Sequence, residues 1–364
     1  MSSAVSDAQR TFYRWAMGAA ALGGLPFRRR EVIAVSYGGA RAGDAGGPLV
    51  KRRILGERFP DHRFGYSLFY ILSNAIYLPQ GVIDAVHRAR VPIVLNQNGV
   101  FYPSWYPDGW QRENARMAAV HRIASHVLYQ SAFCRSCAER YLGRRDGTSE
   151  ILYNAVDVEH FTPAAANERA GPFTFLVTGK IGSSTAYRLT ASIEGLAAAR
   201  RGGADVRLTV AGVVERQIEA QARMLAEQQG IADHVAFTGP YSGATAPAIY
   251  RAADAYLMLK HNDPCPNVVL EALATGLPIL YSRSGGVPEL VGDEAGVPLP
   301  VPETFDDTPT PVPAAIAAGM ARIVEGREAM SRAARARAVE RFGLTAWLDR
   351  HERLFRDLLG HPGA

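Results

Sequence analysis

Residues 260–291 read KHNDPCPNVVLEALATGLPILYSRSGGVPELV and predict two successive strand-to-helix units. An apolar run, Ala255–Leu259, leads into this segment as a strand, and a Pro/Asn/Asp loop follows it. A helix is predicted over Pro266–Thr275, with proline at its first position and glycine after its last turn, as is typical of helix ends. Pro278–Tyr281 is the next predicted strand, and a glycine pair then leads into a further helix near Pro288. Alternation of this kind is typical of a Rossmann-like parallel sheet.

The first turn of each predicted helix is a place where an anion could bind. Amides at a helix start lack intrahelical acceptors and carry partial positive charge, so they can hold a phosphate. Glu271 lies four residues after Asn267, on the same helix face, and could reach a sugar hydroxyl beside that phosphate. Asp263, eight residues before Glu271, adds a second acceptor in the loop. The pattern favours a nucleotide bound to a sugar, although an ordinary Rossmann-like unit without such a ligand also fits the spacing.

The same segment carries a longer signature. Asp263 and Glu271 stand eight residues apart, Glu-Ala-x-Ala-x-Gly-x-Pro occupies residues 271–278, and Gly-Gly-x-Pro-Glu occupies residues 285–289. In these motifs the chain resembles glycosyltransferase family 4, the retaining GT-B enzymes that use nucleotide-diphosphate sugars. The resemblance covers about residues 31–350 and is strongest after Ile151. One departure is clear, because Asp263 stands where the family usually has the longer glutamate.

The resemblance implies a GT-B fold, with two Rossmann-like domains facing across a cleft and a C-terminal helix crossing back to the first domain. The length agrees, since 364 residues suit two hydrophobic cores better than one. We predict an N-terminal arm or surface helix, an acceptor domain, a linker, a nucleotide-sugar donor domain and a returning helix, in that order, over residues 1–30, 31–163, 164–171, 172–340 and 341–364. The boundary is placed at residues 154–163, NAVDVEHFTP, which resemble the interdomain segment of the family.

Alternating strands and helices along the whole chain support two parallel sheets without recourse to the resemblance. The predicted strands of the first half are Glu31–Tyr37, Ser67–Ser73, Val91–Asn96, His126–Gln130 and Glu150–Asn154. The second half adds Phe173–Thr178, Val206–Ala211 and His234–Phe237 to the two strands already named. The last helix is predicted over about Thr345–Leu359. Ligands of such sheets bind at the carboxyl ends of the strands.

Composition excludes several classes of protein. A hydrophobic content of 48% and a charged content of 21% are those of a globular protein, and no apolar run approaches the roughly 18–20 residues that span a bilayer. Three cysteines do not make a disulfide framework. Cys134 and Cys137 form a C-x-x-C inside a helical pattern, Ala132–Leu142, so we interpret them as ordinary helix residues and not as a redox or zinc site.

The chain is basic, with a formal charge of +5 and a pI of about 9.1. Its cations cluster at Arg28–Arg30, Lys51–Arg53 and Arg332–Arg341. No nucleic-acid-binding module with interleaved aromatic residues accompanies them, so no nucleic-acid partner is expected. Attraction to an anionic membrane surface is one interpretation, and a solvated face of an Arg-rich sequence is the other.

Two basic residues follow the first strand of the predicted donor domain and are candidate ligands for a leaving diphosphate. The family commonly has arginine there and lysine five residues later. This chain has Lys180 after Gly179 and, eight residues on, Arg188 at the start of the next helix. Their placement at the ends of a strand and a helix favours this role, for Lys180 more than for Arg188, and two ordinary solvated charges are the alternative.

The first domain offers weaker matches to the family. Gly46-Gly47 corresponds best to the glycine pair that lets the backbone approach the donor, with Gly38-Gly39 as a competitor. Relatives often place a histidine after the strand that here ends at Asn96, and this chain has Asn98 in that loop. Asparagine can donate and accept hydrogen bonds, but it cannot act as a general base near neutral pH.

The predicted catalytic set is Asp263, Lys180, Arg188 and Asn98, without a metal ligand. The predicted donor-binding set is Gly46, Gly47, Lys180, Arg188, Asp263, Pro266, Asn267, Val268, Glu271 and Glu289. Of the two carboxylates, Glu271 is assigned to the ribose of the donor and Asp263 to the transferred sugar.

The resemblance implies a retaining glycosyltransferase that moves a hexose-type sugar from a UDP- or GDP-sugar to a glycan, a glycolipid or a related acceptor in glycoconjugate or polysaccharide synthesis. The donor is a substrate, and no further cofactor is expected. The aromatic loop at residues 101–110 is either an acceptor platform or packing within its own domain. The expected location is the cytoplasm, free or peripheral on the inner face of the membrane. Two alternatives remain open, namely a catalytically silent homologue that binds sugar nucleotide as a partner subunit, and a GT-B nucleotide-sugar epimerase or phosphorylase.

Overall fold

A computed structural model describes residues 2–29, 31–43, 46–165 and 171–360 and separates into two compact units. The first unit comprises Met1–Phe101, Asp108–Tyr153 and Ala346–Ala364, and the second comprises Tyr102–Pro107 and Asn154–Thr345. Most of the predicted linker, residues 164–171, lies outside the described residues. Each unit contains its own sheet and its own hydrophobic core.

The first unit is built on a five-stranded parallel sheet with the order β1-β2-β3-β4-β5. Its strands are β1 (Val35–Ser36), β2 (Leu68–Leu72), β3 (Ile93–Gln97), β4 (His126–Tyr129) and β5 (Thr148–Ile151). The helices that precede or connect them are α1 (Ser2–Gly24), α2 (Gly47–Arg58), α3 (Gln80–Arg88), α4 (Trp110–Ile123) and α5 (Ala132–Leu142). Sequential parallel strands joined by helices explain why the central strands are apolar on both faces.

The second unit is built on a six-stranded parallel sheet with the order β11-β10-β9-β6-β7-β8. Its strands are β6 (Phe173–Thr178), β7 (Val206–Ala211), β8 (Val235–Gly239), β9 (Ala255–Met258), β10 (Ile279–Ser282) and β11 (Gly296–Leu299). Its helices are α6 (Ala186–Arg201), α7 (Arg216–Gln228), α8 (Ala246–Arg251), α9 (Asn267–Ala274), α10 (Val287–Val291) and α11 (Pro313–Arg341). The strand order reverses between β6 and β9, and a doubly wound sheet binds its ligands in the crevice at such a reversal, beside the carboxyl ends of the strands.

Small residues let α11 pack closely on the core of the second unit. A Cβ added at Gly195 of α6 would lie 2.3 Å from Cγ2 of Ile316 on α11, and one added at Gly319 would lie 2.6 Å from Cδ1 of Leu280. Those distances are far below van der Waals contact, so both positions require glycine for this helix packing. The long helix thereby covers the sheet beside α6 and leaves the carboxyl ends of β6 and β9 to the loops.

The last helix, α12 (Leu344–Leu358), joins the first unit from Ala346 onward. His351 lies within the core, where Nε2 shares a 3.0 Å hydrogen bond with the Tyr70 hydroxyl. Burial lowers the pKa of His351 to about 3, so its ring is neutral at physiological pH. Arg58 pairs with Glu352 at 2.6 Å, and Arg350 pairs with Glu150 at 2.9 Å. A buried ring and two ion pairs therefore attach this helix to the sheet and to α2 of the first unit.

The predicted fold class is confirmed, because both halves form parallel Rossmann-like sheets and the C-terminal helix returns to the first unit. Two predicted strands differ most in their bounds, and one observed strand was not predicted. The first strand pairs only at Val35–Ser36, since the chain turns at two glycines of positive φ directly afterwards. The fifth strand pairs over Thr148–Ile151, and Asn154, predicted as its last residue, instead hydrogen-bonds to Cys265 of the second unit. Strand β11 was not predicted, because its short GVPL run has little apolar periodicity.

Several cations of two predicted basic clusters make defined contacts inside the protein. Lys51 and Arg52 are buried, with exposed fractions of 6% and 9%. In α11, Arg335 donates to the carbonyl oxygens of Val158, Phe161 and Ala274, and Arg337 donates to two carbonyls of α10. These cations are used to hold loops and helix ends together. Within the described residues, no helix is both long enough and apolar enough to cross a membrane.

Candidate functional site

The loop after β6 presents a buried cation at the point where the strand order reverses. Arg188, in the first turn of α6, is 6% exposed and donates through Nη2 to the carbonyl oxygens of Thr178 at 3.3 Å and Lys180 at 3.4 Å. Its Nε–H is shielded from solvent and has no hydrogen-bond partner among the described residues, which also offer it no ion pair with a carboxylate. A buried guanidinium without a counter-ion is costly unless an anion binds it. Lys180, beside it, is exposed.

The loop after β9 holds the Asp263 carboxylate in a defined position. Lys260 pairs with its Oδ2 at 2.7 Å, and the Cys265 amide donates to its Oδ1 at 3.2 Å. The backbone is held as well, since the Gly286 amide donates to the Asp263 carbonyl at 2.9 Å. Gly285 adopts φ +67°, and a Cβ there would lie 2.4 Å from that carbonyl oxygen. The predicted glycine pair, Gly285-Gly286, therefore packs against the backbone of the Asp263 loop and helps to hold it.

Helix α9 begins at Asn267. Pro266, which was predicted to be the first helical residue, is instead the N-cap before it. The side-chain amide of Asn154 donates to the Cys265 carbonyl at 2.9 Å and to Asn267 Oδ1 at 2.8 Å, which fixes the entry to the helix. Asn267 and Val268 are partly exposed. Amides of a first helical turn lack intrahelical acceptors, so this end can receive a phosphate or a sugar oxygen.

One turn further along α9, Glu271 meets a group of phenols. The Tyr250 hydroxyl donates to Glu271 Oε2 at 2.6 Å, and it lies 3.2 Å from Thr178 Oγ1 at the end of β6. Burial raises the pKa of Glu271, while the Tyr250 hydrogen bond opposes that rise. Burial also raises the pKa of Tyr241, and its phenol interacts electrostatically with both Glu271 and Arg188. The carboxylate and the buried guanidinium therefore belong to one cluster at the carboxyl edge of β6 and β9.

Replacing Tyr250 with phenylalanine is expected to destabilise the protein in a pH-dependent way. A hydrogen bond to an ionised carboxylate contributes about 1.5–3 kcal/mol, and one to a neutral group about 1 kcal/mol. Loss of the phenol raises the pKa of Glu271 further above its ordinary value of 4.5. A raised folded-state pKa favours folding at low pH and loses that advantage as pH rises. The deficit of the variant should therefore grow from pH 5 to pH 8, as measured by urea denaturation.

Tyr256→Phe is the matched control, because its hydroxyl contacts Thr178 Oγ1 at 3.0 Å and has no bond to Glu271. Its destabilisation should be the same at both pH values. An equal deficit at pH 5 and pH 8 for Tyr250→Phe would contradict the assignment.

His261 is a residue of this region that the sequence reasoning missed. It is 3% exposed, its Nε2 bonds the Thr304 carbonyl at 3.1 Å, and its backbone amide donates to the Tyr187 hydroxyl at 2.9 Å. Burial lowers its pKa, so the ring is neutral. Its Nδ1 is buried and has no hydrogen-bond partner within the part of the chain that the structure describes. A lone histidine in a Pro/Asn/Asp loop gives no periodic signal by which a sequence reading could have selected it.

Glu289 lies half-buried on α10, whose carbonyls at Glu289 and Leu290 accept hydrogen bonds from Arg337. This helix has five residues, and the amide just before it is used by the Asp263 carbonyl. Residues 285–289, predicted as a second anion position, therefore help to hold the Asp263 loop in place.

Three predicted residues lie in the first unit, where they form a separate group. Gly46 caps α2 with φ +91°, and space is open around it and Gly47. Gly39 of the competing pair instead abuts Met17, 2.7 Å from where its Cβ would be. Asn98 accepts from Lys51 Nζ at 3.0 Å and donates to Asn74 at 2.5 Å. Its amide is thus oriented by neighbouring side chains.

The aromatic loop divides between packing and exposure. Tyr102 is buried against Phe305, with ring centroids 5.2 Å apart, and the Ser104 amide donates to the Phe305 carbonyl. Trp105 is 39% exposed, and the Lys260 ammonium lies 5.2 Å from the centre of its ring. Since Lys260 also pairs with Asp263, an exposed indole stands next to the predicted sugar site.

The chain is similar to known glycosyltransferases. Residues 167–337 match the family described as "Glycosyl transferases group 1". A D-inositol 3-phosphate glycosyltransferase of Saccharomonospora viridis is 40% identical over 83 residues, which cover 22% of this chain and 19% of that protein. A GDP-mannose-dependent alpha-mannosyltransferase of Mycobacterium tuberculosis is 27% identical over 224 residues, 60% of this chain and 54% of that protein.

Among solved structures, Anabaena HepE in complex with UDP aligns with a TM-score of 0.64 and 17% identity over 85% of this chain and 82% of that chain. This likeness identifies the fold as GT-B, the architecture of two Rossmann-like units. The chain spans about a fifth to a half of the length of the two curated relatives described above.

Proposed function

We propose that this protein is a glycosyltransferase whose second unit binds a nucleotide-diphosphate sugar at the carboxyl edge of β6 and β9. The observation that carries the proposal is the buried guanidinium of Arg188, which stands at the strand-order reversal without a carboxylate partner in the described residues. An anionic ligand would supply the missing counter-charge, and a diphosphate has the charge and the size to reach both Arg188 and the exposed Lys180. The family match over residues 167–337 supports the same class of reaction.

The two carboxylates suggest where the ribose and the transferred sugar of the donor bind. Glu271, oriented by Tyr250, is proposed to accept hydrogen bonds from the ribose hydroxyls. The Asp263 loop, with Lys260 and the start of α9, is proposed to bind the transferred sugar. The burial that raises the pKa of Glu271 also strengthens each hydrogen bond its ionised form makes, because the local dielectric is low.

The proposed reaction is a transfer with retention of anomeric configuration. The bond from the anomeric carbon to the diphosphate oxygen breaks, a bond to the acceptor oxygen forms on the same face, and the departing phosphate oxygen takes the acceptor proton. The protein would contribute charge stabilisation by Arg188 and Lys180 and positioning by the Asp263 loop. Two cationic side chains can neutralise the leaving group, so the proposal requires neither a metal ion nor another cofactor.

The chemical identity of the substrates is proposed at the level of class. The M. tuberculosis relative is named for GDP-mannose and the Anabaena structure contains UDP, so a UDP- or GDP-hexose is the proposed donor. A glycan or lipid-linked acceptor and a cytoplasmic location, free or at the inner face of the membrane, complete the proposal. The exposed Trp105 beside Lys260 would offer a stacking surface for a sugar ring.

Binding measurements with Glu271→Ala test the donor assignment. Loss of hydrogen bonds to a charged carboxylate corresponds to about 10–100-fold weaker binding. We expect that loss for UDP or GDP in isothermal titration calorimetry, and little change for inorganic pyrophosphate, which lacks ribose. Glu219→Ala is the matched control, because Glu219 lies on α7 in a surface pair with Arg223. Unchanged nucleotide affinity in Glu271→Ala would refute the assignment.

A catalytically silent sugar-nucleotide binder is the second candidate function, favoured by the shorter Asp263 and by Asn98 in place of a histidine. The two candidates differ in turnover. A transferase releases free nucleoside diphosphate from its donor when an acceptor is present, as detected by a coupled assay. Binding without release, across a panel of donors and acceptors, would favour the silent homologue.

A further inference from the structure

Five large apolar side chains are exposed on the first unit and lie along α1 and the turns next to it. We call them the aromatic face. They are Phe12 (77% exposed), Trp15 (69%), Leu22 (42%), Phe27 (69%) and Phe64 (60%). Single exposed apolar residues are ordinary, but several large ones in one part of the surface are typical of an interaction site.

The geometry of α1 separates this face from the core. Phe12, Trp15 and Leu22 are spaced by three and seven residues, so they fall within about a quarter of the helix circumference. The opposite side of α1 packs inward, where Ala21 is 4% exposed and Gly18 lies close to Val82 of α3. The Arg14 guanidinium also points inward and donates to the Tyr77 carbonyl. The helix is therefore already anchored by one face while the other presents aromatic rings to solvent.

Close backbone contacts make Phe27 and Phe64 continuous with the end of α1. A Cβ at Gly24 would lie 3.3 Å from the Cα of Phe64, and one at Gly65 would lie 3.1 Å from the Phe27 carbonyl. Gly23 faces the Phe64 ring at 3.6 Å by the same measure. The turn at Leu25–Phe27 and the turn at Phe64 are thus held side by side.

The rim of the aromatic face at this end is basic. Arg29, Arg63, Arg88 and Arg90 are exposed, and the acids beside them are the exposed Glu31 and the partly exposed Asp61. Arg28 connects the rim to the aromatic turn, because it donates to the carbonyl oxygens of Ala89 at 2.7 Å and Arg90 at 3.2 Å. Arg63 approaches Asp61 only at 3.9 Å and keeps 61% of its side chain exposed.

We infer that the aromatic face is a docking surface for an anionic lipid membrane, which the face enters from one side. Exposed aromatic rings partition into the headgroup boundary, and arginines around them are attracted to acidic lipids. Charge complementarity favours this partner. The apolar face matches the acyl region of the membrane, and the basic rim matches its negatively charged headgroups. Lys51 and Arg52 of α2 are buried, and Arg335 and Arg337 of α11 donate to carbonyl oxygens, so these cations do not form a comparable exposed rim. Docking here requires no particular chemistry at the Arg188 site.

Vesicle co-sedimentation of the full chain tests the inference. We expect binding to vesicles of phosphatidylglycerol and phosphatidylcholine, with binding that weakens as salt rises, because exposed charge interactions are screened. Trp15→Ser with Phe27→Ser should lower the vesicle partition coefficient at least tenfold, and Arg29→Glu with Arg63→Glu should remove the preference for the anionic lipid. Tryptophan fluorescence of the parent protein should shift to the blue when vesicles are added, and Trp15→Ser should remove most of that shift.

Matched controls carry the same chemical changes elsewhere. Met224→Ser removes an exposed apolar side chain of α7, and Arg201→Glu reverses an exposed charge at the end of α6. Both should bind vesicles like the parent. Equal loss of binding in the controls would overturn the inference, as would parent-like binding in the aromatic variants. Self-association that is abolished by Trp15→Ser, without vesicle binding by the parent, would assign the face to a second copy of the chain and also overturn it.

Discussion

Arg188→Ala is expected to lower the rate of nucleotide release from a bound donor by about 100–1000-fold, the range seen when one preorganised group that stabilises developing charge is removed. The guanidinium is buried at the end of β6 and has no ion pair with a carboxylate in the described residues. Its charge would therefore be available to the departing diphosphate. Affinity for the free nucleoside diphosphate should fall as well, by about 10–100-fold. A coupled assay for the released nucleotide and calorimetry measure the two effects.

Two further variants separate charge from structure at this position. Arg188→Lys keeps the charge but loses the fork that reaches the Thr178 and Lys180 carbonyls, so an intermediate rate is expected. Arg201→Ala, on the exposed end of the same helix, should stay within about twofold of the parent. Thermal unfolding shows whether Arg188→Ala remains folded. A folded Arg188→Ala protein with parent-like release and affinity would refute the diphosphate assignment.

Gly285→Ala is expected to destabilise the second unit by about 3 kcal/mol and to weaken donor binding at the same time. The positive φ of +67° costs an alanine about 1–2 kcal/mol. The added Cβ would also lie 2.4 Å from the Asp263 carbonyl oxygen, and relief of such overpacking costs about 1–3 kcal/mol. The easiest relief moves the Asp263 loop, which displaces its carboxylate from Lys260. Urea denaturation and donor titration follow the two consequences.

Gly203→Ala is a closely matched control. Gly203 follows α6 with φ +90°, and the space around a Cβ there is open. That variant carries the backbone strain without the contact, so a loss of about 1 kcal/mol and normal donor binding are expected. If both alanine variants lost the same stability and both bound donor normally, the glycine at 285 would have no role in positioning Asp263.

The segment from Ala255 to Val291 was predictable because each of its elements has a local signal. Apolar runs gave the strands, proline and glycine gave the helix ends, and the observed bounds of α9 and β10 lie within one residue of the predicted ones. The choice of Lys180 and Arg188 also followed from their place after a strand. Position along the chain is enough in these cases because a parallel sheet brings the carboxyl ends of its strands to one edge.

The partners of those residues could not be predicted. Glu271 is held by Tyr250, which lies on α8 and also contacts Thr178 at the end of β6. Three distant segments meet there, and no spacing within a single sequence records that meeting. Burial of Lys51 was equally hidden, because a basic triplet at a helix start has the same appearance whether it faces solvent or the ends of β3. Contacts between segments that are distant along the chain therefore could not be predicted from this sequence.

The route of the chain limits how this protein can be divided by genetic means. Residues Tyr102–Pro107 belong to the second unit although they lie between two stretches of the first, and the chain returns to the first unit at Ala346. A fragment ending at Tyr153 would lack α12 and would leave Phe59 and Tyr70 without the Phe355 ring that covers them. Separate expression of the first half therefore calls for a circular permutant or an added copy of α12, whereas a simple truncation would expose an apolar surface.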